Sequence, residues 1–270
     1  MLQFLTYLFI AIYTATVIGI ILVVILGNRN PLKTIPWVVV LIFAPVVGLV
    51  FYFFFGQDLR RKRIISRRTY KRLMVYALPA HVRRSDAPVP AACQSLSTLL
   101  TNTSQAVSFY GSRLTHYGDG ASKMTALLEE IEKARDHIHI LYYIFCDDET
   151  GARLQQALIR KAKEGVKVRV LYDDVGCNGV KKEFFQQMRD AGAEVHALLH
   201  VRFPMLTDRV NYRNHRKIVV IDGRIGFIGG MNIADRYVRG TRWGTWRDTH
   251  FRIEGSGAAG LQASFLSDWS

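Results

Sequence analysis

The sequence predicts an α/β fold, a mixed sheet flanked by helices, preceded by an N-terminal two-helix transmembrane hairpin. Three observations predict it. Two long apolar runs without a charged residue open the chain, a dense basic stretch follows them, and from about residue 104 short apolar strands alternate with amphipathic helices. On this reading residues 1–58 form the hairpin, 59–103 a basic juxtamembrane segment and linker, and 104–270 the α/β domain.

The first run, residues 2–26, is long enough at 1.5 Å per residue to cross a hydrocarbon core of about 30 Å. The second, residues 35–56, holds Pro36, Pro45 and Gly48, which membrane helices tolerate. Between them Asn28-Arg-Asn-Pro-Leu-Lys33 reads as a polar turn with Pro31 as a helix stop. A cleaved signal peptide fits less well, because a basic leader is missing, the apolar run is too long, and a second span follows at once.

The net charge of +14 is unevenly spread: residues 1–85 carry twelve Lys and Arg against Asp58 alone. Positive charge next to an apolar span points to anionic lipid headgroups, whereas a generally basic domain would point to nucleic acid. Two basic residues, Arg29 and Lys33, lie between the spans and eight lie between Arg60 and Arg72. The positive-inside rule therefore places the α/β domain, and with two crossings the N-terminus, in the cytoplasm. Pro88 and Pro90 mark the linker into the domain. Cys93, Cys146 and Cys177 are odd in number and lack C-x-x-C spacing, so neither a disulfide framework nor a thiolate metal site is indicated.

Within the domain the pattern predicts helices near 121–135, 151–165 and 181–191, and strands over 137–145, 166–172 and 193–199. Strands separated by helices of this length imply a sheet that is at least partly parallel, with ligands at the carboxyl ends of its strands. Asp147, Asp148, Asp173 and Asp174 fall at such ends. Paired carboxylates there suit a metal, but a third ligand at useful spacing is missing, and loop caps or site lining explain them better.

The segment Asn211-Tyr-Arg-Asn-His-Arg-Lys-Ile-Val-Val-Ile-Asp-Gly223 carries the most chemistry. Residues 218–221 read as a buried strand and 225–228 as a second. His215 and Lys217, two apart on an extended backbone, share a face, and Asp222 closes the strand. Phosphoryl transfer needs a nucleophile, a cation for the phosphate oxygens and a group that orients the nucleophile. Imidazole, ammonium and carboxylate supply these, while Gly229-Gly230 admits a phosphate close to the backbone and Asn232 can donate to it. A His and a Lys on one strand face also occur by chance, so residue chemistry alone leaves a structural role open.

His215-x-Lys217-x4-Asp222, followed by Gly229-Gly230-x-Asn232, resembles the H-x-K-x4-D signature of the phospholipase D superfamily. Tyr142-Tyr-Ile-Phe-x-Asp-Asp148, Gly165-Val-Lys-Val-Arg-Val-Leu-Tyr-Asp-Asp-Val-Gly176, Gly229-Gly-Met-Asn-Ile-Ala-Asp235 and Trp246-Arg-Asp-Thr-His250 narrow the likeness to bacterial cardiolipin synthases, as does the paired N-terminal run. The resemblance implies a phospholipase D-like half-domain in a multi-pass protein of the bacterial inner membrane. It implies a phosphatidyltransferase that condenses two phosphatidylglycerols to cardiolipin plus glycerol through a phosphohistidine, without metal or nucleotide. His215, Lys217 and Asp222 are then catalytic, with Lys217, Gly230 and Asn232 on the phosphate. The partners implied are phosphatidylglycerol and the membrane, not nucleic acid.

The family joins two such motifs at one site, and this chain has one. His81, His116, His137, His139, His196, His200 and His250 all lack a Lys two residues on. Residues 261–270 read as a helix in progress. The expectation is an N-terminal portion of a longer enzyme, or else a homodimer pairing two copies of His215. Hydrolysis of phospholipid or nucleic acid uses the same residues with water as acceptor, and an inactive membrane-bound half is the third alternative. The near-neutral domain disfavours nucleic acid.

Overall fold

A computed structural model describes residues 1–26, 31–44, 47–48, 51–52, 89–104, 106–200 and 213–270. They fall into two compact units, one holding the N-terminal helices and the other the sheet. In the first, α1 spans Leu2–Leu26 and α2 spans Pro31–Phe43. α1 is 25 residues without an acidic or basic side chain, about 37 Å long, and exposes Phe4, Tyr7, Phe9 and Ile10. Pro31 is not the helix stop expected of it. It opens α2, at a position where the missing N–H costs nothing and the fixed φ suits a first turn.

Of the expected second span, residues 35–56, the part up to Phe43 belongs to α2, a 13-residue helix of about 20 Å. Ala44 and Gly48 donate in helical register to Val40 and Ala44 beyond it, while 45–46, 49–50 and 53–56 lie outside the described residues. Several side chains of both helices lie outside the described set. Among the described residues no helix is long and apolar enough to cross a membrane. The transmembrane hairpin is thus not established here. The basic run from Arg60 to Arg72, and the linker as far as Pro88, also lie outside the described residues. Pro90 leads into a 3-10 turn, Ala91–Cys93, and helix α3, Gln94–Ser104.

The second unit is built on seven strands: β1 Arg113–Tyr117, β2 His137–Tyr142, β3 Lys167–Asp173, β4 Glu194–Leu198, β5 Ile218–Ile221, β6 Ile225–Gly229 and β7 His250–Glu254. Their order is β1-β7-β6-β5-β2-β3-β4. β2, β3 and β4 are parallel, joined through α5 (Glu149–Lys163) and α6 (Lys182–Asp190), while β5, β6, β7 and β1 continue the sheet antiparallel. The mixed sheet and its flanking helices agree with the sequence pattern. β1 and β7 escaped it because they mix Arg, His and Glu with few apolar residues and are only partly buried.

Helix α4 (Gly120–Lys133), with α5 and α6, covers one face. Leu127, Ile131, Leu154, Leu158, Phe185 and Met188 pack on Ile138, Ile140, Val168, Val170 and Val219. α8 (Ala258–Trp269), which follows the short helix α7 (Asp235–Val238), covers the other face, where Leu261 and Phe265 meet Leu141, Leu171, Ile218 and Val220. β5 therefore buries both faces, and this is why it reads as an uninterrupted apolar run. Capping fixes the helix starts. Asp119 accepts from Ser122 N at 2.8 Å to open α4, and Asp148 accepts from Gly151 N at 3.0 Å to open α5.

Phe265 is fully buried and stacks on His139 at 4.6 Å between ring centroids. Truncation there removes a large part of the contact holding α8 to the sheet. Phe265→Ala is expected to destabilise the chain by about 3–5 kcal/mol, read from its chemical denaturation midpoint.

Candidate active site

Antiparallel pairing sets the N-terminal end of β5 beside the carboxyl end of β2, with Leu141 opposite Ile218, and beside the end of β6 and the start of β7, with Gly229 opposite His250. Four strand ends thus converge where an α/β sheet places its ligands. The chain entering β5 is pinned before it arrives. Buried Asp173, at the end of β3, accepts from Arg213 Nη1 at 3.2 Å and Asn214 N at 3.2 Å, and Asp268 of α8 accepts from Asn214 Nδ2 at 3.0 Å and Arg216 Nη1 at 2.6 Å.

His215 emerges from this clasp exposed, its ring stacked on Tyr143 at 3.7 Å between centroids and 22° between planes. The stack restrains the ring, and the residue as a whole remains exposed. Lys217 is buried, donates to the His215 carbonyl at 2.6 Å and lies 5.3 Å from the Tyr143 ring centre. Burial pulls its pKa below the usual lysine range, and Asp248 pushes it back up. Asp248 in turn packs on Gly230, where a Cβ would sit 2.1 Å from its Oδ1, so any larger residue there would displace the Asp248 carboxylate. Tyr143 is backed by Cys177, whose thiol donates to the Tyr143 carbonyl at 3.7 Å and accepts from Phe145 N at 3.3 Å. Burial pushes this thiol up to about 12.

Behind Lys217 lies a buried polar layer that residue chemistry in the sequence did not single out. Lys123 of α4 is fully buried and donates to Tyr142 Oη at 2.9 Å, and burial pulls its pKa down to about 7. His250 is fully buried, and neither ring nitrogen has a hydrogen-bond partner among the described residues. Its ring lies against Gly229, where a Cβ would sit 2.6 Å from Nδ1. Burial, with Lys123 and then Lys217 adding repulsion, pushes its pKa down to about 2. The available signals were the paired tyrosines of Tyr142-Tyr143 and the Asp-Thr-His of residues 248–250, both quoted for their resemblance but assigned no role.

The other predicted residues sit differently. Asp222 is at the far end of β5 and does not contact His215. Its carboxylate accepts from the backbone N–H groups of Arg135, Asp136 and His137 at 2.9, 2.9 and 3.0 Å, and its own N–H donates to the His137 carbonyl. Burial raises its pKa, but these three donors outweigh burial and leave it below the usual range. Asn232 is buried and doubly engaged, accepting from Ile144 N at 3.1 Å and donating to Tyr237 Oη at 2.9 Å. Asp148 caps α5 and also accepts from Asp235 N, while Asp147 accepts from Lys181 N at 3.3 Å. Among the described residues no cluster of His, Cys, Asp and Glu fits a metal ion. Asn211 and Tyr212 lie outside the described residues.

Two outcomes follow from this placement. Asp222→Ala leaves three backbone donors without their acceptor and is expected to cost about 2–4 kcal/mol of stability by chemical denaturation, with Asp222→Asn costing less. His250, and His139 whose pKa burial lowers to about 4, stay neutral in the folded chain at mildly acid pH but protonate when unfolded. The unfolded chain then binds more protons below about pH 6.5, so stability falls as pH drops through that value. The denaturation midpoint is expected to fall between about pH 7 and pH 5, and His250→Leu to flatten that dependence.

The family description "Cardiolipin synthase, PLD-like domain" matches residues 127–268, and "Phospholipase_D-nuclease N-terminal" matches residues 14–57. The major cardiolipin synthase ClsA of Bacillus subtilis is 37% identical over 259 residues, covering 93% of this chain and 54% of its own. A cardiolipin synthase of Listeria innocua is 36% identical over 275 residues, covering 98% and 57%. The chain spans about half the length of these curated relatives. Among solved structures, NucT from Helicobacter pylori superposes with a TM-score of 0.45 at 17% identity, over 59% of this chain and 96% of that one. With more than half of its residues inside the first family description, and His215 and Lys217 of the motif that it spans set at the convergent strand ends, the chain belongs to the cardiolipin synthase, phospholipase D-like family.

Proposed function

We propose that the chain is one catalytic half of a phosphatidyltransferase that condenses two phosphatidylglycerols into cardiolipin and glycerol. The observation that carries the reading is His215 itself, an exposed imidazole stacked on Tyr143 with the Lys217 side chain beside the same ring. In the first step a His215 ring nitrogen, or that of its counterpart, attacks phosphorus. The bond to the terminal glycerol oxygen breaks, and the other histidine gives that oxygen a proton. In the second step the primary hydroxyl of another phosphatidylglycerol attacks the phosphohistidine, its proton returns to the same acid–base histidine, and the N–P bond breaks. Lys217 balances the phosphate charge, and Gly230 admits the phosphate where the exposed Asp248 side chain, which now packs on it, swings away. Asn232 acts from its bonds to Ile144 and Tyr237, shaping the pocket wall and turning toward phosphate only if those bonds open. Asp222 serves by anchoring β5 to the start of β2.

The second H-x-K-x4-D half comes from a further region of a longer chain or from a second copy. The uncharged 25 residues of α1, with the second apolar run, insert in the bacterial inner membrane as a hairpin, and the basic stretch after it keeps the catalytic domain on the cytoplasmic side.

The full chain reconstituted in vesicles of labelled phosphatidylglycerol, alone and with a separately expressed second half, tests this reading. Cardiolipin and glycerol are expected once both halves are present, and His215→Ala is expected to lower that rate at least about a thousandfold. Phosphatidic acid without cardiolipin makes the protein a hydrolase instead. An unchanged rate in His215→Ala overturns the assignment of the nucleophilic or acid–base histidine.

A further inference from the structure

Residues 239–247, Arg-Gly-Thr-Arg-Trp-Gly-Thr-Trp-Arg, hold three arginines and two tryptophans and no acidic residue. Residues 241–249 are exposed without a break, Trp243 at 82% and Trp246 at 53% of their surface. A soluble surface has little reason to carry two such rings in one short segment.

The segment is also well built. Thr241 and Gly244 exchange both backbone hydrogen bonds, at 2.8 and 3.0 Å, and Thr241 Oγ1 accepts from Trp243 N at 3.2 Å. Gly244 at φ +121° closes the turn, in a region that side-chain-bearing residues rarely adopt. Arg242 and Trp243 therefore stand at its tip, the guanidinium 4.6 Å from the indole centre. Trp246 forms the base. Its N–H donates to the Arg236 carbonyl at 3.0 Å, its ring meets Tyr237 edge-on at 5.8 Å, and the Arg236 guanidinium lies 4.9 Å from it. Tyr237 is buried and accepts from Asn232, so the base of the turn is two contacts from the β6 end of the site. Arg239 is paired with Glu149, and Asp119, whose pKa is lowered chiefly by its hydrogen bonds from Ser122, is lowered slightly further by Arg247. Among the described residues no carboxylate pairs with Arg242.

We infer that this turn docks onto an anionic phospholipid surface, with Trp243 in the headgroup layer and Arg242 on lipid phosphate. An indole has an apolar body and one polar edge, and a guanidinium beside it adds a phosphate-matching fork, which suits the zone where acyl chains give way to anionic headgroups. The choice of a lipid over another polyanion rests on the proposed lipid substrate. Docking brings the bilayer surface to the rim of the site, so that a phosphatidylglycerol headgroup reaches His215 without its acyl chains crossing open water.

Tryptophan quenching by vesicle lipids brominated near the headgroup end of their acyl chains tests this with the full chain. Trp37→Phe serves as the background, to silence the N-terminal indole. In phosphatidylglycerol vesicles quenching is expected, and much of it is lost in Trp243→Phe. Arg242→Gln is expected to require an about fivefold higher fraction of phosphatidylglycerol in phosphatidylcholine for half-maximal quenching, the effect of removing one cation near an anionic surface. Equal quenching in the background and in Trp243→Phe overturns the inference. Three further results also overturn it: equal quenching in pure phosphatidylcholine, quenching that appears only as protein density rises, which assigns the turn to a second copy, and Trp243 burial by an oligonucleotide in preference to vesicles. The readout needs no turnover, so loss of cardiolipin synthesis with quenching intact removes the catalytic reading alone, and the reverse removes the docking alone.

Discussion

Everything that positions the site depends on β5 being held between β2 and β6 in antiparallel register with both faces buried. A strand of four residues has little pairing energy of its own, so it is fastened at each end. At one end Asp222 gathers three consecutive backbone donors at the start of β2, from a left-handed backbone with φ +49° that a short carboxylate side chain tolerates better than most. At the other, Asp173 and Asp268 hold the segment Arg213–Arg216. His215 is thus displayed from a strand that cannot slide. A slip of one residue would exchange its two buried faces and carry the imidazole away from Tyr143.

The H-x-K-x4-D spacing therefore joins two kinds of role. His215 and Lys217 stand where four strand ends meet, and Asp222 works at the opposite end of the strand. The four intervening residues, Ile218–Ile221, are the whole of β5, so the spacing measures its length. Around the exposed histidine the protein buries charge-bearing groups, Lys123 and His250, whose environment disfavours protonation. The layer behind Lys217 is polar but shut off from water, and this weak screening strengthens the field of any charge in front of it.

The parts of this arrangement legible in the sequence were those with a periodic or motif signal. The parallel core β2-α5-β3-α6-β4 announces itself through alternating apolar strands and amphipathic helices, and the motif marks β5. Residues 113–117 and 250–254 have no such period, because β1 lies at the sheet edge and β7 next to it, where partly exposed positions take Arg and Glu and the buried His250 interrupts the apolar pattern. Pro31 was misread because proline, which lacks a backbone N–H, ends a helix when the preceding turn needs that donor and begins one when it stands in the first turn, where none is needed. Tyr143, Asp248 and His250 come together only through the successive pairing of β2 with β5, β5 with β6 and β6 with β7, contacts that are distant in sequence. The role of Asp222 was ambiguous for the same reason, since its partners lie more than eighty residues away.

The placement of the thiols has a practical consequence for chemistry at this site. Cys177 packs directly behind the tyrosine that carries His215, yet burial drives its pKa up to about 12, and Cys146 is half-buried with its pKa also raised by burial and then by Asp148. A thiolate is the reactive species, so neither sulfur is a good target for alkylation at neutral pH. Cys93, exposed ahead of α3, is the accessible one. A maleimide probe thus reports on the approach to the domain while leaving the wall behind Tyr143 untouched, and insensitivity of turnover to such reagents says nothing against a histidine nucleophile.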